Sequence, residues 1–477
     1  MALPDWVQKF RTEGIEIIEK NGHFYARKVT SIYDAKLGRS RKKTAEYLGK
    51  VTREGILPPK HKRSLRFGGR FEAGNIAFLD PFFQPLQSAV AKHFPDDWQS
   101  ILAAAAIKLC YREPCSRFRL RYETSLAKRR WPDAHLSDDA LPELLRRVGH
   151  QWAAQRDVFA ELAADEKHMA IDLSHVFSES QNIPWLEYGH NGDNVWRPQL
   201  QVLLMWGTTT HRPGFLQLLS GATHSAQTIL HSLKEVPLRD VVAVIDKGFW
   251  SPGNIEAFEN AKVHYAIALR RDLPIVDLKA HTQYKDQFLY RDATQWWRKD
   301  DWDGRTIYHF LDKTVAHNEE STYMRRLEKE EDPKAKKSIE RSYKEHRTGL
   351  GTLSILTDTG LDASEVYRLY KERREVEYAY DNLQNDLHAD VTWMRSKESM
   401  VGFHFIMFLA LHLYSQALDH LKRKGMLSTW SVRDVLTYLS KVEVVEVDGA
   451  DHLLPVTKQT QTVLDRLEIP ITQNIGL

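Results

Sequence analysis

The sequence predicts an α/β fold in which one mixed sheet is flanked by helices, and three observations lead there. Near residue 168 the hydrophobic period changes from helical to strand-like. From that point the pattern reads strand, strand, strand, helix, strand, helix, strand. The fourth strand lies in residues 240–250, DVVAVIDKGFW, an apolar run of the kind found in a strand covered on both faces. With 477 residues, 42% of them hydrophobic and 27% charged, the chain can bury a large core spread over about three domains.

The front of the chain is basic. Residues 1–131 carry 26 Lys and Arg against 13 Asp and Glu, a surplus of 13, which leaves a deficit of 10 in a chain whose total is +3. The opening MALPDWVQKF has no cationic segment leading into an apolar run, so no signal peptide is expected. Residues 22–33 read as a strand, 34–38 as a turn and 41–51 as a returning strand, the outline of a small basic β-hairpin module. The run KHKRSLRFGGRF from residue 60 mixes cations with rings, which makes Lys60, Lys62, Arg63 and Arg66 candidate DNA phosphate contacts. Residues 80–162 are helical, most clearly at 98–110 and 141–149. Between these, RFRLRY at 117–122 alternates Arg with bulky apolar residues, which fits a strand or the edge of a groove-lining helix. Cys110 and Cys115 make neither a disulfide framework nor a zinc site and are read as reduced thiols.

The strands follow. Residues 168–175, HMAIDLSH, form the first and carry one acid, Asp172; residues 198–206 and 214–221 form the second and third. A helix is expected at 225–236, then the buried fourth strand ending on Asp246, a helix at 251–261 and a fifth strand at 263–271. This is the order of a ribonuclease H-like domain, in which the first and fourth strands end side by side and Asp172 would meet Asp246. Residues 362–384 read as one helix: Asp362 and Glu365 form a capping box, no Pro or Gly intervenes, and Val366, Leu369, Val376, Tyr380 and Leu383 recur at helical spacing. Beside that stripe Tyr370, Arg373, Glu377 and Gln384 share an arc of roughly 60°. Packed over the strand ends, this helix would add Glu377 to the two aspartates. Three converging carboxylates repel one another unless hard divalent cations sit among them, so Asp172, Asp246 and Glu377 are the candidate catalytic and metal-ligating residues. Two Mg2+ ions, with Mn2+ as a substitute, about 3.5–4 Å apart would activate a water or 3′-hydroxyl and stabilise the leaving oxygen of a phosphodiester.

The pattern Tyr370, Arg373, Glu377 resembles the helical signature of the DDE transposases of bacterial insertion sequences, in the group called insertion sequence family four. GTLSILTD at 351–358 and GFHFIMFLALHLY at 402–414 are similar to the strand and core helix that flank that signature. The resemblance covers about residues 165–420. It departs at Gln384, where the family has Lys. It implies that Tyr370, Arg373 and Gln384 contact the terminal DNA phosphate, that residues 271–349 are a β-rich insertion, and that an aromatic ring of the insertion holds a flipped-out base. Trp296, Trp297 and Trp302 are the candidates, although three rings within seven residues also suit a small core of the insertion itself. The charge run at 325–347 suits a solvated helix or loop. Residues 400–418 are apolar enough to raise a transmembrane question, but His404, His412 and Gln416 make a buried core helix the expectation.

The expected organisation is a basic hairpin module at 1–78, a helical DNA-binding region at 79–164, a catalytic domain with a mixed five-stranded sheet at 165–270 and 350–425, the insertion at 271–349, and a C-terminal tail at 426–477 suited to dimerisation. The resemblance implies a cut-and-paste transposase that binds the inverted-repeat ends of its element, cuts, and joins them to target DNA. It further implies a homodimer pairing two ends in the cytoplasm of a bacterium, associated with the nucleoid. A transposase-derived DNA-binding protein that no longer cleaves, and a nuclease of the same fold that does not transpose, are the competing readings.

Overall fold

Alternation of apolar and charged residues at the front of the chain produces a four-stranded antiparallel sheet rather than a lone hairpin. The computed structural model describes residues 3–34, 38–59, 67–189, 195–222, 242–278, 284–382, 391–392 and 394–469. They fall into two compact units, the first from the described residues of 1–70 and 445–452 and the second from those of 71–444 and 453–469. In the first, β1 (Ile15–Lys20), β2 (His23–Asp34), β3 (Arg39–Val51) and β4 (Ile56–Leu57) lie in that order. The unforeseen β1 had a signal: Asn21 and Gly22, both at positive φ, make the two-residue turn that pairs Lys20 with His23. Val7, Ile17, Ala26 and Val51 form a small core, while Arg39, Arg41, Lys42 and Lys43 are exposed. Lys60, Lys62, Arg63 and Arg66 lie outside the described residues.

β5 (Phe67–Glu72), whose last two residues belong to the second unit, leads into that unit's helices α2 to α8, α1 being a short turn at Asp5–Gln8. They are α2 (Gly74–Leu79), α3 (Phe83–His93), α4 (Trp98–Tyr111), α5 (Phe118–Glu123), α6 (Ala127–Arg130), α7 (Ala140–His150) and α8 (Trp152–Leu162). The ambiguous stretch at 117–122 is helix α5; its arginines pair with acids, Arg119 with Glu123 and Arg121 with Glu113.

The sheet begins with β6 (His168–Ser178), β7 (Glu187–Tyr188), β8 (Pro198–Gly207) and β9 (Arg212–Ser220). It continues through β10 (Val242–Ile245), α9 (Pro252–Asn260) and β11 (His264–Leu269). These give the lateral order β9-β8-β6-β10-β11, with β6, β10 and β11 parallel and β8 antiparallel to both of its long neighbours. The helix expected at 225–236 lies outside the described residues.

Among the described residues the five-stranded sheet of the sequence reading is corrected to one of eleven strands, of which those five are part. The added strands include β12 (Asp286–Tyr290), β13 (Ala293–Trp302), β14 (Arg305–Asp312) and β15 (Thr352–Thr357). β15 pairs with β11, β14 with β15, and β13 and β12 follow outward. The physical reason is the edge of β11, whose backbone donors and acceptors would otherwise stand unpaired. The insertion therefore extends the central sheet. Its charge run forms α10 (Lys313–Lys329) and α11 (Pro333–His346), neither of which buries a residue.

Helices α12 (Ala363–Glu372) and α13 (Arg374–Asp381) come next, followed by β16 (Val391–Thr392) and the long α14 (Lys397–Arg423). α14 is a core helix: its residues 402–417 are buried, His404 bonds the Met400 carbonyl through Nδ1, and Gln416 donates to the Phe82 carbonyl. It crosses α7 at backbone contact. A Cβ on Gly402 would lie 1.9 Å from the Leu145 oxygen and one on Gly149 1.8 Å from the Glu398 oxygen, so only glycine fits either side. The tail contains α15 (Val432–Leu439), β17 (Glu443–Val447), β18 (Ala450–Leu453) and α16 (Lys458–Leu467).

Candidate active site

Parallel pairing of β6 with β10 puts Ile171 opposite Ile245, so the next residue on each strand, Asp172 and Asp246, stand side by side. The third acid comes from the helical segment. Its start is as expected, with both halves of the Asp362–Glu365 capping box formed. The single helix of the sequence reading, however, is two, α12 and α13, joined at Arg373. Around the junction the ladder tightens to three-residue bonds: the Arg373 N–H reaches the Tyr370 carbonyl at 3.2 Å, and the Val376 N–H reaches the Arg373 carbonyl at 3.0 Å. No Pro or Gly marks the break. It falls on the residue whose side chain is tied to the strand ends, a tertiary tether that local sequence does not encode.

Arg373 is buried, and its guanidinium faces all three acids: 3.7 Å to Asp172, 3.6 Å to Asp246 and 2.6 Å to Glu377. The Tyr370 hydroxyl donates to Asp246 at 3.3 Å. Asp172 also accepts the Leu173 N–H at 3.0 Å. Burial pushes the Asp172 carboxyl up to about 6; Arg373 and the Leu173 N–H oppose the rise, and Asp246 and Glu377 add to it. Burial also pushes the Tyr370 phenol up to about 12, so it is a neutral donor at neutral pH. Burial alone would lower Arg373, but Tyr370 and the three carboxylates hold it above its usual value.

Three carboxylates on three separate elements are a hard-oxygen donor set suited to a divalent cation. Among the described residues no three acid, His or Cys side chains already close around one point. Here the guanidinium is the positive charge among them.

The remaining candidates are dispersed. Trp296 and Trp297 are neighbours on β13 and so face opposite sides of the sheet. Trp297 packs edge-on against Tyr308 in the cluster of Phe310 and Tyr367, Trp296 lies under the Lys313 ammonium, and Trp302 under Arg305. They form no common platform. Gln384 lies outside the described residues. The aromatic surface that the sequence reading missed is Tyr188 stacked on Trp196, 5.1 Å between ring centroids, with Trp196 78% exposed. Its two rings belong to segments brought together only by the pairing of β7 with β8.

Comparison with known proteins gives one family: the family model described as a transposase DDE domain matches residues 162–413, more than half of the chain. No curated protein sequence matches significantly. Among solved structures, the chain is similar to the piggyBac transposase in a cryo-EM synaptic complex with hairpin DNA. Identity is 12%, coverage 79% of this chain and 74% of that one, and the TM-score 0.40.

Proposed function

Because this chain belongs to the transposase DDE domain family, we propose that it is a cut-and-paste DNA transposase of the insertion-sequence-four group, with a ribonuclease H-like catalytic core. It binds the inverted-repeat ends of its element as a homodimer, cleaves at the element boundary and joins the freed 3′-hydroxyl to target DNA. The setting is the nucleoid-associated cytoplasm of a bacterium. The lateral strand order, in which the first three strands pair antiparallel and the fourth and fifth run parallel to the first, supports the core assignment. The observation that carries the reading is the gathering of Asp172, Asp246 and Glu377 around Arg373.

In this mechanism the three carboxylates hold divalent cations, Mg2+ or Mn2+. Those ions, when bound, supply the Lewis acidity that activates a water or 3′-hydroxyl and takes up charge on the leaving oxygen. No covalent nucleophile from the chain is needed. With its hydroxyl protonated, Tyr370 donates a hydrogen bond to a phosphate oxygen. Arg373, beside the three carboxylates, would make a bidentate contact to the same phosphate. Gln384 offers an amide hydrogen bond where the family places a Lys charge.

End-labelled DNA from either side of the coding region, incubated with the protein and Mg2+, tests this. Cleavage at one defined boundary is expected, together with a complex of two subunits and two ends in a gel-shift assay. Glu377→Gln should lower cleavage by about 1,000-fold or more while leaving end binding nearly intact. Cleavage retained in that variant would remove Glu377 from the site; specific binding without cleavage by the parent protein would make this a DNA-binding descendant of a transposase.

A further inference from the structure

Within the second unit, a cavity of about 820 Å³ opens between α4, α7 and the start of α14, and it shares no lining residue with the carboxylate site. Leu141, Leu145 and Phe403 make its apolar wall, and Lys108, Arg112 and Arg395 line it with Asp138 as the acid among them. The wall is rigid. The backbone contacts at Gly149 and Gly402 fix the spacing of α7 and α14 beside Leu145 and Phe403, so the space is a consequence of the helix crossing.

Two of the cations are placed in ways that packing alone does not favour. Lys108 is 3% exposed in an Ala-rich buried helix, with its ammonium 5.7 Å from the Phe403 ring centroid and 3.4 Å from the Glu113 carbonyl. Arg112 caps α4 in the left-handed conformation, φ 56° and ψ 20°, where Gly is the usual residue and a side chain is disfavoured by about 1 kcal/mol.

We propose that this cavity is a nucleotide-binding site, with the phosphate held by Arg112, Arg395 and Lys108 and the base against Leu145 and Phe403. Arginine forks match phosphate oxygens in pairs. An inorganic anion would leave the apolar residues uncovered, whereas a nucleotide fits within the volume and offers a phosphate to the cations and a base to the apolar residues. A free nucleotide and the 5′-terminal nucleotide of a DNA strand carry the same groups, and the ligand panel below separates them.

The test is calorimetric titration of the full-length protein, without divalent metal, with dAMP, dATP, a 5′-phosphorylated thymidine trinucleotide and inorganic phosphate. Saturable binding of a mononucleotide is expected if the natural source is free nucleotide, and of the trinucleotide alone if it is a strand end. Arg395→Ala and Arg112→Gly should each weaken binding by about tenfold or more, and Ser116→Trp, at an exposed position of the lining, should abolish it. Arg112→Gly also relieves the backbone strain, so its melting temperature should hold or rise while affinity falls, which separates lost binding from lost folding. No saturable binding of any nucleotide, binding indifferent to Arg395→Ala and Ser116→Trp, or phosphate binding as tight as nucleotide binding would each overturn the assignment. No cleavage step enters these measurements, so they stand or fall apart from the transposase reading.

Discussion

Arg373 does the work of a counter-ion for three acids at once, and this makes its removal informative in the absence of metal. Arg373→Gln should lower the stability of the protein in EDTA by about 3 kcal/mol, because three carboxylates lose their shared cation while Asp172 among them stays largely buried. Added Mg2+ or Mn2+ should then raise the melting temperature of the variant more than that of the parent, since the ion replaces the missing charge. Equal shifts in the two proteins would separate the guanidinium from the ion site. Asp172 gives a prediction of opposite sign. Its carboxyl titrates near 6 in the folded protein, above the unfolded value of 3.8, so its protonated form is the one that folding favours. The metal-free protein should therefore lose about 3 kcal/mol as pH rises from about 4 through 6. Asp172→Asn should match the parent near pH 4 and exceed it at pH 7, as thermal melts in EDTA would show. A pH-independent difference between the two would contradict the burial of that carboxyl.

At the scale of elements, the crossing of α7 and α14 and the pairing of β6 with β10 place everything else. Gly402→Ala pushes a methyl group into the Leu145 carbonyl, a backbone atom that cannot swing aside. A destabilisation of about 3 kcal/mol is expected in denaturant unfolding, large for the addition of one carbon. A neutral result would mean that the helices can part at no cost. The candidate acids were legible here because a strand end and a capped helix announce themselves by period and punctuation. The break at Arg373 was not, because its cause is a tether to residues 201 and 127 positions earlier, and no local residue is a helix breaker.

Across the molecule, residues 286–312 are continuous with the central sheet. β14 is paired with β15 along six residues, and the buried Tyr367 hydroxyl of α12 donates to Gln295 of β13 at 2.8 Å. Deleting residues 285–349 should therefore expose the edge of the sheet and strip the aromatic cover from α12, giving aggregated or protease-sensitive protein. A soluble, monodisperse, protease-resistant deletion variant on gel filtration would show the insertion to be separable. The sequence shows an excess of length between the second and third acids. The attachment of that length was not legible, since strand pairing is a long-range choice that alternation within one strand does not specify.

Periodicity, capping and turn residues lie within a few positions of one another, and from them the sequence alone determined the α/β class, the five strands at 168–178, 198–207, 212–220, 242–245 and 264–269, and Asp172, Asp246 and Glu377 as the acids to watch. Burial against a partner face determined that α14 is a core helix, and its histidines already said so. Only the tertiary structure decided that one guanidinium serves three carboxylates, that three insertion tryptophans point into different surroundings, that eleven strands share one sheet, and that a cationic cavity opens between α4, α7 and α14. Each of those depends on which distant segments meet, and that is settled by the summed packing and pairing of the whole chain.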